Sequence, residues 1–124
     1  MSQILSIAAG GAAGAVLRFW VSNGVYALLG RGFPYGTLAV NVIGSLLMGL
    51  LFVFFLERMS ISAELRGALL IGLLGSFTTF STFSIETLNL IEQAEYLKAG
   101  LNMLISVAAC LMAAWFGLVL GRQM

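Results

Sequence analysis

Residues 75–84, GSFTTFSTFS, place six hydroxyl side chains inside a long apolar stretch. Phe77, Phe80 and Phe83 recur there at a spacing of three. On an ideal α-helix each such step turns by about 300°, so the rings drift by about 60° per step and form no single straight face. Ser and Thr hydroxyls compete with the helical ladder by bonding to backbone carbonyls, and Gly75 adds backbone freedom. Two arrangements answer to this pattern: a helix broken near its middle, or a regular helix whose hydroxyls bond back to the preceding turn. A break at membrane depth is tolerated only where it lines a cavity or is buried in protein. It presents carbonyl oxygens on one side and helix N-terminal amides on the other, and both bind ions. The chemistry on offer is ion binding, of either sign.

Other polar groups sit in apolar surroundings. Asn41, in LAVNVIG, is either a functional amide or a plain interhelical hydrogen-bonding group. Arg18 and Glu86 each read as a paired or solvated functional charge, or as a side chain that snorkels to the interface. Asn102, Ser106 and Cys110 follow one another at i, i+4 and i+8, either as one wall of a polar track or as a small-residue packing face. Enzyme chemistry has little to work with. The chain has no His and no Asp, so no Ser/His/Asp set can be assembled. Its single cysteine excludes an intramolecular disulfide and a cysteine-based metal cluster. A net charge of +1 gives no basic patch for nucleic acid. The chain is not expected to be an enzyme.

The elements that must hold these residues follow from composition. The chain is 60% hydrophobic and 9% charged, whereas soluble domains are about 25% charged. That composition fits an integral membrane protein. About 20 apolar residues cross a bilayer core of about 30 Å, which places spans at 4–29, 36–56, 67–85 (running on past Glu86) and 100–121. The expected fold is an all-α membrane protein, one domain over residues 1–124 with four transmembrane helices. Residues 1–11 lack the Lys or Arg of a signal-peptide start and read as the beginning of a retained span. Arg58, Arg66 and Arg122 flank one side of the bundle; Arg31 and Lys98 flank the other. So small a bias under the positive-inside rule allows insertion in both orientations, and two oppositely inserted copies can pair as an antiparallel dimer. Gly10, Gly11 and Gly14, then Gly44, Ser45 and Gly49, then Gly72 and Gly75, suit close helix contacts, within a subunit or between two.

Three stretches, GGAAGAVLRFW (10–20), GTLAVNVIG (36–44) and GSFTTFSTFSIE (75–86), resemble in order and spacing the Fluc, or CrcB-type, fluoride ion channels of microbes. The resemblance covers essentially the whole chain, and the TFSTFS core with an Asn in the second span is its specific part. It implies a dual-topology antiparallel homodimer in the bacterial inner membrane. The dimer would have two fluoride pores and a structural sodium ion (Na+) at its centre. It implies that Phe80 and Phe83 line the pores, that Asn41 supplies amide donors, and that Ser81 and Thr82 match the polar residues of the third helix. Gly75, Ser76 and Thr78 fall where backbone oxygens hold the sodium. Cys110 and Ala114 depart from the family's Ser or Thr on the fourth helix.

A pore for fluoride, small and strongly hydrated, must replace its water with donors and positive potential. The Asn41 amide, the hydroxyls of Ser81, Thr82 and Ser106, and the positive ring edges of Phe80 and Phe83 suit that task. The rival expectation is a small four-helix proton-coupled multidrug transporter, which needs a carboxylate in the first span; this chain has none there. A second rival is a membrane subunit that transports nothing by itself.

Overall fold

A computed structural model describes residues 1–58 and 60–124. Helix α1 spans Ser2–Leu29. Helix α2 covers Tyr35–Arg58 and is wound wider, as π-helix, over Val53–Arg58. The third span, Ala63–Glu92, is divided. Its first half, α3, covers 63–77 with a π-helical stretch at Gly67–Leu73. Its second half, α4, is Phe80–Glu92. Helix α5 is Tyr96–Gln123. Four helical spans are thus long and apolar enough to cross a membrane, as expected from composition.

Local chemistry sets the ends. Helix α1 stops at Gly30, whose φ of +83° suits glycine and whose N–H bonds back to Tyr26 O at 2.8 Å. Pro34 then stands immediately before α2, where its missing N–H is no loss. Helix α3 begins four residues before the apolar run because the Ser62 hydroxyl accepts from Leu65 N and caps it. The first turn therefore takes in Glu64, beyond the expected boundary at Gly67.

Small residues let main chains touch. A Cβ on Gly117 would overlap Leu46 O and lie 2.8 Å from Leu50 N. Helix α5 thus lies directly along α2. A Cβ on Gly72 would lie 2.5 Å from Ile7 O, so α1 lies as closely along α3. Lipid gives helices no hydrophobic reason to associate, and such contacts supply the packing instead. The helix ends meet at one face: Ser2 Oγ donates to Glu64 at 3.0 Å, and Arg122 pairs with Glu57 at 3.2 Å. Few side chains are wholly enclosed; Val40, Val53 and Leu74 form a thin core.

Candidate functional site

The third span breaks at Thr78 and Thr79, both with extended backbone. Of the two arrangements open from sequence, the broken helix is the one formed. Several side chains hold it. The Thr79 hydroxyl accepts from Thr82 N at 3.2 Å and so caps α4. The Thr78 hydroxyl donates to Leu74 O at 3.1 Å, closing the end of α3. Ser76 Oγ lies 2.7 Å from Gly11 O and 2.8 Å from Gly72 O, tying the last turn of α3 to α1.

Asn41 spans the break from α2. Its Nδ2 donates to Thr79 O at 2.9 Å, and its Oδ1 accepts from Thr79 N at 2.7 Å. The carboxamide thus gives Thr79 N the acceptor that an unbroken helix would have supplied, and adds a second donor to the Thr79 carbonyl, which as N-cap still accepts the first bond of α4. A carboxamide nitrogen carries two hydrogens, so one remains for another acceptor. Gly44, one turn on, makes room: a Cβ there would overlap Thr78 Cγ2.

Beside the break lies a groove of about 430 Å³ between α2, α4 and α5. Asn41, Phe80, Phe83 and Ser106, all expected on an ion path, meet on its wall. So do Ser45 and Cys110. Ser81 and Thr82 do not line it. Ser81 is exposed, and Thr82 Oγ1 accepts from the Thr79 hydroxyl at 3.0 Å. The rings of Phe80 and Phe83 lie 5.3 Å apart at 41°, and the Phe80 ring is uncovered, with 76% of its surface open.

Polar groups form a buried ladder behind the groove. Ser106 Oγ donates to Asn102 Oδ1 at 3.2 Å, Asn102 Nδ2 donates to Thr87 Oγ1 at 2.8 Å, and Thr87 Oγ1 donates to Phe83 O at 2.7 Å. Asn102 is 2% exposed, so it backs the wall and does not line it. Toward one membrane face a smaller pocket, about 170 Å³, is lined by Tyr26, Arg31 and Glu86 among others. Tyr26 OH donates to Glu86 Oε2 at 2.9 Å, and Arg31 stacks on the Tyr26 ring at 4.4 Å. Glu86 is thus a hydrogen-bonded pocket carboxylate, not a snorkelling one.

Sequence reasoning missed Ser45 and Thr87. Ser45 follows Asn41 by one helical turn, a spacing that places both on one face, yet its small size read as packing. Its hydroxyl has no hydrogen-bond partner among the described residues, so it is free to donate into the groove. Thr87 lies outside the hydroxyl-rich decad and carries no signal of its own.

A sodium ion at the break needs oxygen ligands, and the carbonyls meet that need unequally. Helix α3 ends at Phe77, so its last carbonyls lose their helical partners. Among the described residues the carbonyls of Gly75 and of the cap residue Thr78 accept no hydrogen bond, and such oxygens suit a cation. The Ser76 carbonyl accepts from Arg18 Nε at 3.0 Å and is already bound to a positive group.

A multi-pass all-helical membrane protein whose polar side chains converge on one mid-span break is the class that this fold defines. Residues 5–118 match the family model described as CrcB-like protein, Camphor Resistance (CrcB), and the chain belongs to that family. It is 58% identical over 122 residues to the fluoride-specific ion channel FluC of Methylococcus capsulatus, covering 98% of this chain and 54% of that one. It therefore spans about half the length of that relative. It is 57% identical to the protein of the same name from Coxiella burnetii, covering 98% and 99% of the two chains. With that of Geobacter sulfurreducens it shares 54% identity over the full length of both. These relatives are named as ion channels, not as enzymes.

Proposed function

We propose that this chain is a fluoride-selective channel that lets fluoride leave the cell passively. The carrying observation is full-length identity of 54% to a fluoride-specific ion channel, with no part of either chain left over. The groove supports it. A fluoride ion there meets the free Asn41 hydrogen, the unpartnered Ser45 hydroxyl and the positive edges of Phe80 and Phe83. The first amides of α4, at Phe80 and Ser81, have no helical acceptor and add positive potential. Each contact is moderate, which suits an ion that must also leave. In an inside-negative cell the electrical gradient drives fluoride outward across the bacterial inner membrane.

The working unit in this reading is an antiparallel homodimer with two pores. Gly75, Phe80 and Ser81 surround the break and are exposed in a single chain. Broken backbone at mid-bilayer must be covered by protein or line a water-filled cavity. A two-fold axis lying in the membrane plane maps mid-depth onto mid-depth. It sets one break against its mate, and each chain then contributes a groove. The Gly75 and Thr78 carbonyls of both chains meet at that axis, and a sodium ion bound there neutralises them and raises the local positive potential. The residues of this chain would hold it through main-chain oxygens alone.

The test is fluoride efflux from liposomes holding the purified protein, read with a fluoride electrode and with chloride as control. Wild type is expected to release fluoride and to retain chloride. Phe80→Ile is expected to cut the fluoride rate at least tenfold while the assembly elutes unchanged. Equal rates for the variant and wild type remove Phe80 from the path. Fluoride uptake driven by a pH gradient alone would favour a proton-coupled transporter, and no flux from the protein alone would favour a subunit that transports nothing by itself.

A further inference from the structure

We propose that Arg18 is the fixed positive charge of the anion path, held at mid-bilayer by the end of the broken helix. The inference deepens the fluoride-channel reading and rests on it. Arg18 lies near the middle of α1, and among the described residues its side chain makes one hydrogen bond, from Nε to Ser76 O, two residues before the break. Both positions are close to the centres of their spans, so the charge cannot sit at an interface. A guanidinium has five N–H donors, and one of them is engaged among the described residues. No carboxylate pairs with it among the described residues, where the two ion pairs are Lys98 with Glu95 and Arg122 with Glu57. Glu86, the carboxylate nearest the break in sequence, is bonded to Tyr26 instead.

A deep, unpaired arginine is expensive in a membrane and marks function by default. Its anchor explains how it is held. The last carbonyls of α3 form the negative end of the helix macrodipole, which favours a cation there. A carbonyl also satisfies a donor without cancelling the charge, as a carboxylate would. The guanidinium therefore keeps a net positive field, reduced but not cancelled by the helix end, in a low-dielectric region. Arg18 does not itself line the groove; Thr78 and Thr79, two and three residues beyond its anchor Ser76, form part of the wall, so the charge acts on a passing anion through space and not by contact. Unlike a bound sodium, this charge is covalent and does not depend on occupancy.

Three substitutions separate charge from hydrogen bonding. Arg18→Lys keeps the charge, Arg18→Gln keeps a donor without charge, and Arg18→Met removes both. Fluoride efflux is measured for each in liposomes, after elution volume and thermal midpoint in detergent. The proposal expects Arg18→Lys within about threefold of wild type, and Arg18→Gln and Arg18→Met at least tenfold slower, as the loss of a near mid-membrane charge implies. Wild-type flux in Arg18→Gln overturns it. Equal loss in all three also overturns it, in favour of a purely structural bond. Where the variants fail to fold, Ala15→Glu keeps Arg18 and sets a carboxylate one turn away. A tenfold slower flux in that variant supports the proposal, and unchanged flux overturns it. No fluoride flux in wild type would instead defeat the channel reading, before any variant is compared.

Discussion

Asn41 commits both ends of its carboxamide to the main chain of Thr79, which separates its structural role from any contact with an ion. Asn41→Ala leaves the part-buried Thr79 N without a partner, at roughly 1–3 kcal/mol, and takes one of two donors from the Thr79 carbonyl. A drop of several degrees in thermal midpoint in detergent is expected. Asn41→Asp keeps an acceptor for Thr79 N but loses the donor and adds a negative charge beside the groove. Its midpoint is expected to fall less than that of the Ala variant, while its fluoride flux falls at least tenfold. Wild-type flux in Asn41→Asp would show that the amide hydrogens do not serve the ion. Sequence left Asn41 open between two roles because its partner is a backbone group, and main-chain partners carry no residue signature. Ser106 was legible as a polar residue on a helix face. That its hydroxyl is turned toward Asn102 was not, because the Thr87–Asn102–Ser106 ladder joins helices that only the fold brings together.

The helices themselves were largely legible, since bilayer thickness and apolar run length constrain them tightly. The break was legible as one of two arrangements, because hydroxyls and a three-residue ring spacing both work against a continuous helix. Its position at Thr78 and Thr79 depends on a cap from within, Thr79 to Thr82, and a bond from α2. The π-helical turns at Val53–Arg58 and Gly67–Leu73 had no such signal: an apolar run reads alike whether wound tightly or loosely. Contact between α2 and α5 decides whether the groove exists at all. Gly117→Leu would drive a side chain into the main chain of α2, since even a Cβ there overlaps Leu46 O. Loss of monodisperse protein in gel filtration is expected. A well-behaved Gly117→Leu protein with normal fluoride flux would mean that the two helices do not need this approach.

Across the whole molecule, the flanking charges are three on one face and two on the other, too even to fix an orientation. A cysteine in place of Met124, with Cys110 replaced by Ala, tests this in cells. Labelling by a membrane-impermeant maleimide from outside is expected to reach about half of the chains, as a balanced charge bias implies. Labelling of all or none would rule out dual insertion. The groove has a further consequence. In a lone chain it opens sideways, with Val107 and Leu111 on its wall, both exposed, and the uncovered Phe80 ring beside them. In a bilayer such a cleft does not stay empty; an acyl chain fills whatever protein leaves vacant. For the proposed dimer, assembly would then be an exchange, in which a second subunit displaces lipid tails. Its equilibrium would be governed by the mole ratio of protein to lipid and by the length and saturation of the tails. Dilution into more lipid, not into more water, is what would take the pair apart.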